Sequence, residues 1–114
     1  MSTQRIFGGQ TKPGATDWQQ FGDPGAGDSG IFVDVDTSSG NFSTTPIYLA
    51  SLGGSNNHWT VTGTSSIYNA TPYGFSIYLR WSDHSSMTPN DPTSGNQQRW
   101  HINWLGIETG SERE

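Results

Sequence analysis

From residue 31 onward the chain falls into short runs of apolar and β-branched residues, each closed by a cluster of glycine, serine, asparagine or proline. The clearest run is Gly74 to Trp81. Phe75, Ile77, Leu79 and Trp81 share one face and Ser76, Tyr78 and Arg80 the other, the period of two that a half-buried strand requires. Ile31 to Asp36 is β-branched and aromatic and stops at Ser38-Ser39-Gly40-Asn41, which marks another strand and its turn. Pro46 to Leu52 opens with a proline where a strand tolerates one, and separates Ile47, Leu49 and Ser51 from Tyr48, Ala50 and Leu52. After the turn cluster Gly53 to Asn57, the run His58 to Ile67 predicts a strand with Trp59 and Val61 inward and a threonine row outward. Trp100 to Glu108 predicts the last strand, with Trp100, Ile102 and Trp104 on one face. Leu105 and Ile107 fall on the opposite parity, which predicts a bulge near Gly106. Alternation assigns both Trp59 and Trp104 to the core.

Two stretches lack this pattern. Ser82 to Gln98 is polar and carries Pro89, Pro92 and Gly95, which predicts a long loop. Residues 1–30 are punctuated by glycine and proline from Gly8 to Gly30, which predicts an irregular arm holding at most one short strand and anchored by Trp18 and Phe21. The expected organisation is an arm over 1–30, a β-domain over 31–108 and a polar tail over 109–114. Short strands spaced about ten residues apart indicate an all-β fold, a small antiparallel β-sandwich of about six strands.

Composition narrows the function. Glycine, serine, threonine, asparagine and proline account for 56 of the 114 residues, turn and strand material with few helix formers. Five Lys and Arg against ten carboxylates give a net charge of −5, so a phosphate backbone or an anionic membrane surface is repelled. Nucleic acid is therefore not an expected partner. With no cysteine, disulfides, cysteine zinc sites and thiol catalysis are all excluded. No segment approaches the roughly 18 apolar residues of a spanning helix, and the first nine residues hold no apolar signal region. A cytoplasmic or non-classically secreted protein is the expectation.

The spacing of His58, His84 and His101 does not suit a metal site. Asp23, Asp28, Asp34 and Asp36 lie among glycine turns but lack the ordered acidic loop of a calcium site. They read as Asx turns and strand ends, with calcium the one cation left open and no other cofactor expected. No Glu occurs before Glu108, so a carboxylate pair for glycoside hydrolysis would have to be built from Asp. There is neither a nucleophile elbow nor a phosphate-cradling loop. What stands out is a concentration of aromatic, amide, imidazole and guanidinium groups, among them Tyr68, Tyr78, Arg80, Trp81, Asp83 and His84. Such groups suit sugars, whose apolar faces stack on rings and whose hydroxyls take fixed donors and acceptors.

The order of several short motifs is also familiar. Phe32-Val33-Asp34-Val35, Thr45-Pro46-Ile47-Tyr48-Leu49, Gly74-Phe75-Ser76-Ile77-Tyr78-Leu79, Trp81-Ser82-Asp83 and Ile102-Asn103-Trp104-Leu105-Gly106 together resemble the H-type lectin domain of snail agglutinins and discoidins. The likeness runs from about Ile31 to Ile107. It implies a six-stranded sandwich, assembled as a trimer or double trimer, that binds galactose or N-acetylgalactosamine without catalysis. Carried over residue by residue, the resemblance places Trp81, Asp83 and His84 against the sugar, with Asp34 or Asp36 as the early acidic contact. The family's basic contact falls on the strand before Gly74, where this chain has His58 and no Arg, so that contact is either missing or supplied by Arg80. The alternatives are a structural or trimerising tip without sugar binding, and a small Asp-based glycan hydrolase.

Overall fold

The computed structural model describes residues 4–109 and shows an all-β fold of two antiparallel sheets with one short helix. The strands are β1 (Arg5–Gln10), β2 (Gln19–Phe21), β3 (Gly30–Asp36), β4 (Ile47–Gly53), β5 (Val61–Thr62), β6 (Tyr68–Thr71), β7 (Gly74–Trp81) and β8 (His101–Glu108). The helix, α1, is Asp91–Gln97. One sheet has the order β1-β8-β4. The other runs β2-β3-β7-β5, with β6 also paired to β7.

The core follows from the period-two pattern. In β3 and β7 the paired residues Ile31 and Leu79, Val33 and Ile77, and Val35 and Phe75 are all buried. Facing them from the other sheet are Tyr48 of β4 with Ile102 and Trp104 of β8, and Trp18, Phe42, Met87 and Trp100 close the ends. Inside this core the Tyr48 hydroxyl donates to the Thr71 carbonyl at 2.7 Å and accepts from the Thr37 hydroxyl at 2.6 Å. A carbonyl only accepts, which fixes the direction of both bonds. Burial pushes the Tyr48 phenol pKa up.

Four local expectations are corrected. First, the opening thirty residues are not an irregular arm: β1 pairs with β8 from Asn103 to Glu108, and β2 pairs with β3. Trp18 is buried and donates its indole N–H to the Trp100 carbonyl at 3.0 Å, so this segment is part of both sheets. Second, the run His58 to Ile67 is not one strand. Asn57 takes a left-handed conformation, a 3-10 turn follows over His58–Thr60, and only Val61–Thr62 pairs with β7. The turn rotates Trp59 out of phase with the strand, leaving it 83% exposed instead of in the core.

Third, β8 has no bulge at Gly106. It alternates without interruption, so Ile102, Trp104, Gly106 and Glu108 point inward, and the ring of Phe42 occupies the space where a Gly106 side chain would sit. Leu105 and Ile107 belong to the outer face. Fourth, the stretch Ser82 to Gln98 is not all loop, because α1 lies within it. The tail from residue 110 onward lies outside the described residues. No helix among the described residues is long and apolar enough to cross a membrane.

Candidate functional site

The outer face of the five-stranded sheet carries the chemistry. On β7 the strict alternation sends Tyr78 and Arg80 outward, while the split between β5 and β6 leaves a gap beside them. β5 pairs with Arg80 and Trp81, and β6 pairs with Ser76 and Gly74. Gly63, which ends β5, has φ +121, and a Cβ there would lie 2.1 Å from the Tyr78 carbonyl oxygen. Only glycine can turn the chain away from β7 at that point. The result is a cavity of about 160 Å³ between Thr62, Ser66, Tyr68, Tyr78 and Arg80, closed at one end by Phe21.

Beyond Phe21 and Arg80 the depression continues as a second cavity of about 170 Å³, lined by Asp28, Ser29, His84 and Ser85. Its wall is the turn after β7. His84 sits there with φ +69, its backbone N–H bonded to the Trp81 carbonyl at 3.0 Å, and its Nδ1 bonds the Arg80 guanidinium. A guanidinium only donates, so Nδ1 accepts and the ring proton is on Nε2. That N–H is the imidazole's free donor in this pairing. Asp83 shapes the same turn by accepting from the Ser85 hydroxyl at 2.6 Å and the Ser85 amide at 2.9 Å. These bonds hold its carboxyl below the usual aspartate range, the hydroxyl contributing most.

An aromatic cluster floors the groove. Phe32 stacks on Tyr78 with centroids 5.4 Å apart and planes 24° apart. Phe21 and Tyr68 meet the same Tyr78 ring edge-on, each at 5.2 Å. Edge-to-face packing at these separations holds aromatic rings in fixed orientations.

The seven residues singled out in the sequence are distributed over separate regions. Arg80 and His84 come together in this groove, with Asp83 in its supporting turn. Trp81 points to the opposite face of β7, where it packs half-buried and edge-on to Trp100 at 5.9 Å. Asp34 and Asp36 share a different, open groove of about 360 Å³ with Asn69, Thr71 and Tyr73. There Asp34 accepts from the Ser76 hydroxyl at 2.6 Å. Asp36 accepts from the Ser38 amide at 2.9 Å, and its carboxyl is held low by the Ser38 hydroxyl and amide. His58 lies in the turn after β4, with a buried Nδ1 that has no hydrogen-bond partner.

Among the described residues no three His, Asp or Glu side chains converge as metal ligands would. Sequence reasoning missed Phe21 and Asp28 as groove residues and Phe32 as the ring stacked on Tyr78. Phe32 sits directly opposite Tyr78 on outward positions, a pairing visible once the partner of β3 is known. Phe21 and Asp28 reach the groove only because β2 docks beside β3. No protein-family model, curated protein or solved structure matches the chain.

Proposed function

We propose that this chain is a carbohydrate-binding domain, a lectin without a catalytic step, whose groove at Arg80 takes a galactose-type sugar. The observation that carries this reading is the Arg80 guanidinium, bonded to His84 and set between the Asp28 side of the groove and the aromatic floor. A pyranose presents an apolar face and a ring of hydroxyls. Tyr78 and Phe21 offer rings for the face, Arg80 and the His84 Nε2–H donate, and Asp28 accepts. The H-type lectin resemblance supplies the expectation of galactose or N-acetylgalactosamine, with Arg80 in the role of the family's basic contact. Trp81, facing the core, is a support of the site in this reading.

Multiple copies would raise the avidity of such a shallow site. The outer face of the β1-β8-β4 sheet favours a homo-oligomer: Ile6, Ile107 and Ile47 form one cross-strand row, and Leu105 and Leu49 form the next. Ile6, Ile47 and Leu49 are each more than half exposed. A purely structural association module is the second reading, and it rests on this same face.

A glycan array probed with the folded protein, in calcium and in chelator, tests the proposal. The expected result is binding to a coherent set of terminal galactose-type sugars that Arg80→Ala abolishes. A blank array from folded protein, or binding indifferent to Arg80→Ala, overturns it.

A further inference from the structure

Trp59 is the most exposed large hydrophobic residue of the described chain, 83% open to solvent, yet its backbone is firmly held. The Thr60 hydroxyl and amide both bond the Asn57 carbonyl, at 2.6 and 3.0 Å, closing the turn that carries the indole. The Trp100 indole donates to the Asn56 carbonyl at 2.8 Å, and the Asn57 amide donates to the Gln98 side chain at 2.6 Å. The turn is thus fastened to the end of α1 and to a core tryptophan. An apolar ring on a braced turn loses little further freedom when something settles on it, which is the energetic condition for a contact residue.

Its position relates it to the groove. The Ser82 amide donates to the Thr60 carbonyl at 2.9 Å, and Val61 pairs with Trp81. The Trp59 turn is therefore bonded directly to the Ser82-to-Ser85 turn that holds His84 and Asp83. We infer that Trp59 is a second subsite, a stacking platform for the next sugar ring of an oligosaccharide whose terminal residue occupies the Arg80 groove. This rests on the carbohydrate reading and extends it: the preferred ligand is an extended glycan chain, and a free monosaccharide engages the groove without Trp59.

The test compares N-acetylgalactosamine with a trisaccharide ending in it, by calorimetry on the native protein and on Trp59→Ala. Because the indole is outside the core, the truncated variant keeps the fold, which circular dichroism verifies. The expected result is a loss of about tenfold for the trisaccharide, the scale of one aromatic contact, and no change for the monosaccharide. Trp18, Trp100 and Trp104 are buried and Trp81 is half-buried, so iodide quenching of native fluorescence reports chiefly on Trp59. The trisaccharide should shield that emission and the monosaccharide should not. Equal losses for both ligands, or unchanged binding of both, overturn the subsite and leave the lectin reading standing. Lowered oligomer mass in Trp59→Ala with sugar binding intact overturns it in favour of a subunit contact. If the native protein binds neither probe while folded, the carbohydrate reading fails and the subsite with it.

Discussion

Glu108 ends β8 at an inward position, where a carboxylate would ordinarily be costly, and it is only 8% exposed. Its Oε2 accepts from the amides and hydroxyls of both Ser43 and Thr44, at 2.6 to 3.1 Å. Those bonds, led by the Thr44 and Ser43 hydroxyls, lower its pKa to about 2. A folded-state pKa below the unfolded one adds stability that is complete above the ordinary value of 4.5 and disappears as pH falls toward about 2. Glu108→Gln should therefore lower the urea midpoint at pH 7, and its gap from the native protein should close as the buffer approaches pH 2. A gap that persists unchanged through that window would show that the carboxylate charge is not what clamps the 43–44 segment. Neither the burial of Glu108 nor its partners was legible in the sequence, because the donors sit more than sixty residues away in the chain.

At the scale of elements, period-two alternation located β4, β7 and β8 and β-branched composition located β3, and alternation failed where local geometry interrupts it. Val61 and Trp59 are two residues apart and would share a strand face, but the turn over His58–Thr60 separates them. The helix α1 was invisible for a different reason. Asp-Pro-Thr-Ser-Gly-Asn-Gln has no apolar periodicity and two residues that disfavour helix, so its stability must come from outside. Asp91 accepts from the Thr88 amide at 2.7 Å near its start. Gly95 is buried against the Trp100 ring. Asn96 bonds the backbone of Thr16 twice, accepting from its amide at 2.9 Å and donating to its carbonyl at 2.8 Å. Those two bonds imitate a strand pair and fix the segment that carries Trp18. Asn96→Ala should cost about 1 to 3 kcal/mol of unfolding free energy, the range for part-buried backbone groups losing their partners. Amide exchange at Thr16 should accelerate with it, and an unchanged exchange rate there would mean that Trp18 alone anchors the segment.

At the scale of the molecule, two sheets share one core, and their outer faces differ in character. The five-stranded sheet presents the Arg80 groove and its aromatic floor, while the three-stranded sheet presents the aliphatic rows of Ile6, Ile47, Ile107, Leu49 and Leu105. A stable interface takes about 800 Å² from each partner, so this face would be the apolar centre of a larger contact whose rim includes neighbouring polar residues. Leu49→Lys places a charge at a site already 55% exposed, so the monomer fold should be unaffected. Sedimentation should then show a native oligomer and a variant shifted to single chains. A native protein that sediments as single chains at high concentration would remove the association reading.

Patterning along the chain was enough for the all-β class and for the core faces of β7 and of the start of β8. A half-buried strand imposes its period of two locally, so Phe75, Ile77 and Leu79 announce their common face without reference to any partner. Which residues meet depends on how the strands are ordered and aligned. Trp81 and Arg80 are neighbours in sequence and lie on opposite faces of one strand. Arg80 is far in sequence from both Phe21 and Asp28, yet the three line one groove. A binding site is a set of side chains from different elements facing one point, and that coincidence depends on strand order, register and the gap left by Gly63. None of these is encoded in the period of any single run.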